Sequence, residues 1–201
     1  SADFSITVSL HGPVKCDMLE RRTMPILTDP ITEEKTGGFH MRLFIAIRLS
    51  EEMKKVLVAC MHDLKKQGVD GNYVPAQNLH MTLAFIGEYD DPSKVKEVIR
   101  RVSLPEFRLT LSGKGNFGNI LWAGVKGNQK LKTYVKDLRA ALSAEGIPFD
   151  NEKFVPHITL IRKVSAKKPY QVHLPKAEMT VNKASLMRSE QKNGKIVYKE
   201  L

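Results

Sequence analysis

Two short stretches of the sequence repeat: His80-Met81-Thr82-Leu83 and His157-Ile158-Thr159-Leu160. Both lie inside apolar, strand-like runs. In a strand, residues two apart project to one face, with Cα atoms about 6.5–7 Å apart. Each copy therefore sets an imidazole beside a hydroxyl on one surface. Met81 or Ile158, and the leucine that follows each threonine, turn the other way into a core. A lone His-x-Thr in a strand is usually a satisfied histidine on a half-buried face. Two copies of His-apolar-Thr-Leu change that reading, because one chance copy is expected in roughly one such chain in a hundred. The duplication implies a pseudo-symmetric pair of strands meeting across a cleft.

Two histidines on one site can divide a proton-transfer task. With an ordinary pKa of about 6.5, one can stand neutral while the other is protonated near neutral pH. The neutral ring removes a proton from water, and the protonated ring donates to a leaving alkoxide. In-line displacement at phosphorus needs such a pair on opposite sides. It also needs donors for the nonbridging oxygens, which suits the hydroxyls of Thr82 and Thr159. No metal is required, and neither His-Glu-x-x-His nor Cys-x-x-Cys occurs. Arg162 follows in the second run. Strict alternation puts 157, 159 and 161 on one face and leaves Arg162 off it, as a surface arginine. If the strand ends or bulges there, Arg162 becomes a phosphate clamp at its end.

These residues need strands and helices to hold them. Arg42 to Leu49 reads as a buried strand. Ser50 can cap a helix with Met53, Leu57, Cys60, Met61 and Leu64 along one face, ending at Gly68. Val74 to Asn78 leads into a strand over 79–86. Asp91-Pro92 opens a helix carrying Val95, Val98, Ile99 and Val102 at helical spacing. Phe107 to Leu111 and Ile120 to Val125 read as strands. A third helix carries Leu131, Tyr134, Val135, Leu138 and Leu142, stopped at Gly146. Val155 to Ile161 is a further strand. Met179 through Leu186 and Lys195 to Tyr198 read as a closing pair. Strands and helices intersperse, so the class is α/β or α+β. Phe85 falls on the side of Met81 and Leu83, which reads as core. Tyr73, Phe117 and Phe154 are candidates for base stacking, with core or loop packing as the commoner role.

The chain has 201 residues, 32 Lys+Arg against 22 Asp+Glu, a net charge of +10 and 42% hydrophobic residues. That is the composition of a globular protein able to bury a core. The surplus charge points to an anionic partner, nucleic acid first. Cys16 and Cys60 are far apart, which excludes a disulfide framework and suits a reducing compartment. No apolar run is long enough to span a membrane, and no basic-then-apolar leader is visible. Residues 1–40 carry four basic and six acidic residues, four minus six giving −2, so 41–201 carries +12. Proline and the Gly37-Gly38 pair punctuate the first forty. The alternating stretch Phe4 to Leu10 reads either as a lone edge strand or as part of a loosely ordered extension. The expectation is a dispensable extension over 1–40 and a single domain over 41–201.

The motifs and their flanks resemble the two-histidine phosphoesterase superfamily. Within it, they resemble the RNA 2′,3′-cyclic phosphodiesterases, also called the 2′-5′ RNA ligase family. The likeness runs from Met41-Arg42-Leu43-Phe44-Ile45-Ala46-Ile47 to the final hairpin, Ser189 through Gly194 to Tyr198 and Leu201. It includes Val74 to Glu88 around the first motif, Leu121-Trp122, and Phe154 to Arg162 around the second. The resemblance implies a bilobal α+β fold, with two antiparallel sheets framing a cleft and helices outside. His80 and His157 would be catalytic there, with Thr82, Thr159 and Arg162 binding phosphate, and with no metal or cofactor. It implies hydrolysis of RNA 2′,3′-cyclic phosphate ends to 2′-phosphates, with 2′-5′ joining of tRNA halves as a secondary activity. The expectation adds His80 as the acid to the leaving 3′ oxygen, His157 as the base, a monomer, no membrane association, and a cytoplasmic location. The competing readings are a non-catalytic RNA-binding domain and a phosphodiesterase for 2′-5′ oligonucleotides or small cyclic nucleotides.

Overall fold

The computed structural model describes residues 41–201. The expectations for residues 1–40, including the Phe4–Leu10 strand, lie outside the described residues. Nine strands and three helices follow Met41: β1 (Met41–Arg48), α1 (Glu51–Lys66), β2 (Val69–Tyr73), β3 (His80–Tyr89), α2 (Pro92–Arg101), β4 (Phe107–Phe117), β5 (Ile120–Val125), α3 (Gln129–Ala144), β6 (His157–Ala166), β7 (Glu178–Val181), β8 (Ser185–Lys192) and β9 (Lys195–Glu200).

They form two antiparallel sheets, one ordered β3-β1-β8-β9 and the other β2-β6-β5-β4-β7. The α+β class and the paired antiparallel sheets follow the sequence expectation. β3 from one sheet and β6 from the other lie against each other. Helix α1 packs behind β2 and β6, while α2 and α3 pack together behind β8 and β3.

The helices sit where their apolar spacing demands. The buried residues of α1 are Met53, Leu57, Cys60, Met61 and Leu64; those of α3 are Leu131, Tyr134, Val135, Leu138 and Leu142. Ser50 caps α1, accepting from the Met53 N–H, and Asp91 caps α2, accepting from the Lys94 N–H. Cys60 is a buried free thiol.

Three strands depart from expectation. β2 has no counterpart in the sequence reading, because only Val69 of its five residues is buried. An edge strand with one buried residue leaves no alternating apolar signal. β4 runs on to Phe117, past the apolar segment, through residues that are mostly exposed. The segment 179–186 is not one strand. β7 pairs with β4 in the five-stranded sheet, whereas β8 pairs with β1 and β9 in the other. The closing hairpin is β8–β9.

Candidate active site

His80 and Thr82 come from β3, His157 and Thr159 from β6, and all four are half-buried. Met81, Leu83, Ile158 and Leu160 behind them are fully buried. The alternation expected of each tetrapeptide therefore holds through its fourth residue.

It breaks just after the fourth, in the same way in both copies. Thr82 stands opposite Ala46 and Ala84 opposite Ile45, so Leu83 is an extra residue. Thr159 stands opposite Trp122 and Ile161 opposite Leu121, so Leu160 is extra. Each leucine sits in a β-bulge, a device that re-aims the side chains after it. Leu160 and Ile161 are both buried, and Arg162 emerges on the exposed side. The condition under which Arg162 joins the histidine face is met. Its positive charge acts on both imidazoles, pushing the pKa of each downward.

Phe85 occupies the matching place in the first copy. Strict alternation assigns it to the core. The bulge at Leu83 instead turns it outward, 36% exposed, with the Arg42 guanidinium 6.0 Å from the ring centre. Both bulges are anchored. Arg139 donates to the Leu83 carbonyl at 3.3 and 3.4 Å, and the Asp150 N–H donates to the Phe85 carbonyl at 2.8 Å. The Val74 N–H donates to the Leu160 carbonyl at 2.9 Å. β2 reaches Arg162 through Gly71. Its φ is +146°, and a Cβ there would lie 2.8 Å from the Arg162 carbonyl oxygen, so only glycine lets the strands approach.

The two histidines are held alike. His80 Nδ1 lies 2.6 Å from the Asn78 carbonyl, and His157 Nδ1 lies 2.7 Å from the Val155 carbonyl. A carbonyl only accepts, so Nδ1 carries the proton in each ring and Nε2 is left with a lone pair. The Thr82 hydroxyl donates to His80 Nε2 at 3.1 Å. Each ring also sits against two aromatics. Phe44 and Tyr198 flank His80 at 4.9 and 5.1 Å, and Phe117 and Trp122 flank His157 at 5.0 and 5.8 Å. This shell desolvates the imidazolium form. Burial pushes the His80 pKa down to about 4, with the charges of Arg162 and His157 adding to the effect. Burial also lowers the pKa of His157. Near neutral pH both rings of the free site are therefore neutral, whereas the sequence expectation had one of each form.

Sequence reasoning missed Phe44, Trp122 and Tyr198 as parts of this site, and Asn78 behind it. Asn78 is buried; its amide donates to the Ile196 carbonyl at 2.8 Å and accepts from the Tyr198 N–H at 3.4 Å. It thereby ties the turn before His80 to β9. Asn78 stands two residues before the first motif, whereas Phe44, Trp122 and Tyr198 lie on other strands far from either motif in sequence. Of the three stacking candidates, Phe117 alone touches a motif histidine. Phe154 packs on the core and beside Arg139, and the Tyr73 hydroxyl donates to the Val69 carbonyl. Arg100 and Arg101, at the end of α2, are engaged by Glu97 and Glu145. Among the described residues, no three of His, Cys, Asp and Glu converge as a ligand set.

Trp122 owes its place to a glycine. A Cβ on Gly115, opposite it in the β4–β5 register, would lie 2.2 Å from the indole ring. Gly115→Ala must displace that ring from its place beside Phe117 and His157. The expected result is a folded protein whose turnover falls about 10- to 100-fold, the usual cost of a small displacement at a reacting centre. The readout is direct, because Trp122 is the single tryptophan of the chain and its emission reports the ring's surroundings. Unchanged emission and turnover together would contradict the positioning role.

A family model described as the 2′-5′ RNA ligase superfamily matches residues 51–193. An RNA 2′,3′-cyclic phosphodiesterase of Thermotoga maritima is 39% identical over 132 residues, covering 61% of this chain and 70% of that protein. A protein of the same description from Escherichia coli is 33% identical over 131 residues, covering 62% and 73% respectively. The fold matches a solved structure described as Escherichia coli LigT complexed with 3′-AMP. The TM-score is 0.65 at 28% identity, over 81% of this chain and 95% of that one.

Proposed function

This chain belongs to the 2′-5′ RNA ligase superfamily, and from that premise we propose that it hydrolyses RNA 2′,3′-cyclic phosphate ends to 2′-phosphates, without a metal, using His80 and His157 as an acid–base pair. The observation that carries the reading is the matched tautomer of the two rings. Each has Nδ1–H fixed on a carbonyl and Nε2 left for chemistry, and one guanidinium, Arg162, acts on both.

In the reaction, a water oxygen attacks phosphorus in line with the 3′ oxygen. One imidazole Nε2 takes the water proton as the new P–O bond forms. The other, protonated at Nε2, gives its proton to the 3′ oxygen as the P–O3′ bond breaks. Thr82, Thr159 and Arg162 donate to the nonbridging oxygens, whose charge grows in the transition state. We assign the acid to His80 and the base to His157.

The free site holds both imidazoles neutral, so the acid must gain its proton with the substrate. An anionic phosphate beside the rings favours the imidazolium and raises the lowered pKa values. Binding of a nucleoside 2′-phosphate at about pH 6.5 should therefore take up a proton. Calorimetric titration in buffers of different ionisation enthalpy measures this. Binding without uptake, or with release, would contradict the proposed protonation cycle.

RNA with a cyclic phosphate end is the proposed partner, tRNA halves being one source, with 2′-5′ joining, in which a 5′-hydroxyl takes the place of water, as the secondary activity. The buried free thiol of Cys60 suits a cytoplasmic location. Among the described residues the exposed large hydrophobics are Phe85 and Ile196, which favours a monomer. No described helix is long and apolar enough to cross a membrane. The deciding experiment offers the full chain, in excess EDTA, three substrates: cyclic-phosphate-ended RNA, a 2′-5′ dinucleotide and a different nucleotide cyclic phosphate. Preferred turnover of the first supports the reading. Preference for another reassigns the substrate, and turnover of none makes the chain a binder.

A further inference from the structure

A groove of about 610 Å³ lies beyond the histidines, between the β4–β5 turn and the far end of β6. Asn116, Gly118 and Asn119 form one wall, and the segment from Val164 to Tyr170 forms the other. The Val164 N–H donates to the Asn119 carbonyl at 2.8 Å and closes the groove floor. Phe117, between the groove residues Asn116 and Gly118, is the residue whose ring meets His157. Ser165 follows Arg162 by three residues, across an irregularity where Lys163 takes a φ of +54° and the β2–β6 register shifts. The groove thus adjoins the candidate active site at the far end of β6.

Its walls come from the two longest stretches of the domain without acidic residues. Residues 107–136 and 153–177 contain no Asp or Glu. The second includes Arg162, Lys163, Lys167 and Lys168 within seven positions. Among the described residues, none of these four forms an ion pair, whereas Arg48, Arg100, Arg101, Arg108, Lys183 and Arg188 each hold a carboxylate. Asp70, opposite Ser165 on β2, is the acid beside this wall. Tyr170 adds a half-buried ring to the lining, packed against the core. Unpaired lysines beside an aromatic face fit a flexible polyanion with stackable bases, which is the chemistry of single-stranded nucleic acid.

We propose that this groove binds the single-stranded RNA on the 5′ side of the terminal nucleotide, with Lys167 and Lys168 on its phosphates and Tyr170 against a base. The proposal rests on the hydrolysis of cyclic phosphate ends and deepens it. The enzyme then reads a short unpaired 3′ tail, and the cyclic end alone is a poorer substrate.

The test uses the full chain and a series from a 2′,3′-cyclic mononucleotide to cyclic-phosphate-ended oligonucleotides of increasing length. The wild type should gain kcat/KM as the first few nucleotides are added and then level off. Lys167→Glu combined with Lys168→Glu should lose about tenfold on the oligonucleotides and flatten their salt dependence. Its turnover of the cyclic mononucleotide should stay within about twofold, which also shows that the variant folds. Equal loss on both substrates, or no loss on either, overturns the groove. Wild-type protein inert toward every member of the series would instead remove the catalytic reading beneath it.

Discussion

His80→Ala and His157→Ala should each lower kcat on a cyclic-phosphate-ended RNA by about 10²–10⁴, the span expected when one partner of an acid–base pair is lost. The rings are half-buried and stand on strands whose packed residues are Met81, Leu83, Ile158 and Leu160. Removing either ring therefore leaves the core intact, and both variants should keep the wild-type circular dichroism. A substrate with a nitrophenolate in place of the 3′ leaving oxygen separates the two roles, since a good leaving group needs no proton. Rescue of His80→Ala alone supports His80 as the acid. Rescue of His157→Ala alone reverses the assignment, which the shared tautomer makes chemically sound.

Arg162→Ala carries the second large effect. A guanidinium aimed at phosphate oxygens stabilises charge that develops in the transition state. Its loss should lower kcat/KM by about 10²–10³. Arg162→Lys should recover part of this, since a point charge replaces a two-pronged donor. A second readout follows from the electrostatics. The Arg162 charge helps to hold both imidazoles below their ordinary range. Removing it should raise both pKa values, so the acidic limb of the pH–rate profile, where the base must be neutral, moves to higher pH. A loss of rate with an unmoved limb would mean that Arg162 serves the phosphate without reaching the histidines.

The catalytic strands were legible because their chemistry and their packing share one short pattern. His-apolar-Thr-Leu states both the reactive face and the buried face, and the apolar stripes of α1 and α3 name their own buried residues. Arg162 and Phe85 show where alternation stops being a guide. A bulge adds one residue without any marker in side-chain type, because leucine is equally at home in a regular strand. Only the pairing partners, Ala46 and Ile45 for the first copy and Trp122 and Leu121 for the second, reveal it. The pseudo-symmetry extends past the tetrapeptides: Phe85 and Arg162 stand at the same step after their histidines, and both are exposed. The aromatic shell of Phe44, Tyr198, Phe117 and Trp122 was, Phe117 apart, out of reach for another reason. These rings come from β1, β9, β4 and β5, and only the strand order brings them to the histidines.

The sheet arrangement also explains why the two halves are matched at the site and unlike elsewhere. Each histidine needs a carbonyl for Nδ1, two flanking rings and a bulged strand, and each lobe supplies these from different parts of the chain. Apart from Arg162, the basic residues stand away from that chemistry. The lysines at the far end of β6 and in the segment after it lie past the histidines, where the proposed groove would use them on the RNA chain rather than on the reacting phosphate.

The central claim is that two imidazoles act on one phosphate in a single fixed orientation, without metal. The most direct test is ³¹P NMR of the product formed from a nucleoside 2′,3′-cyclic phosphate by the full chain in excess chelator. Complete conversion to the 2′-phosphate alone is the expected result. A 3′-phosphate, a mixture of the two, or no reaction until a divalent metal is restored would contradict it.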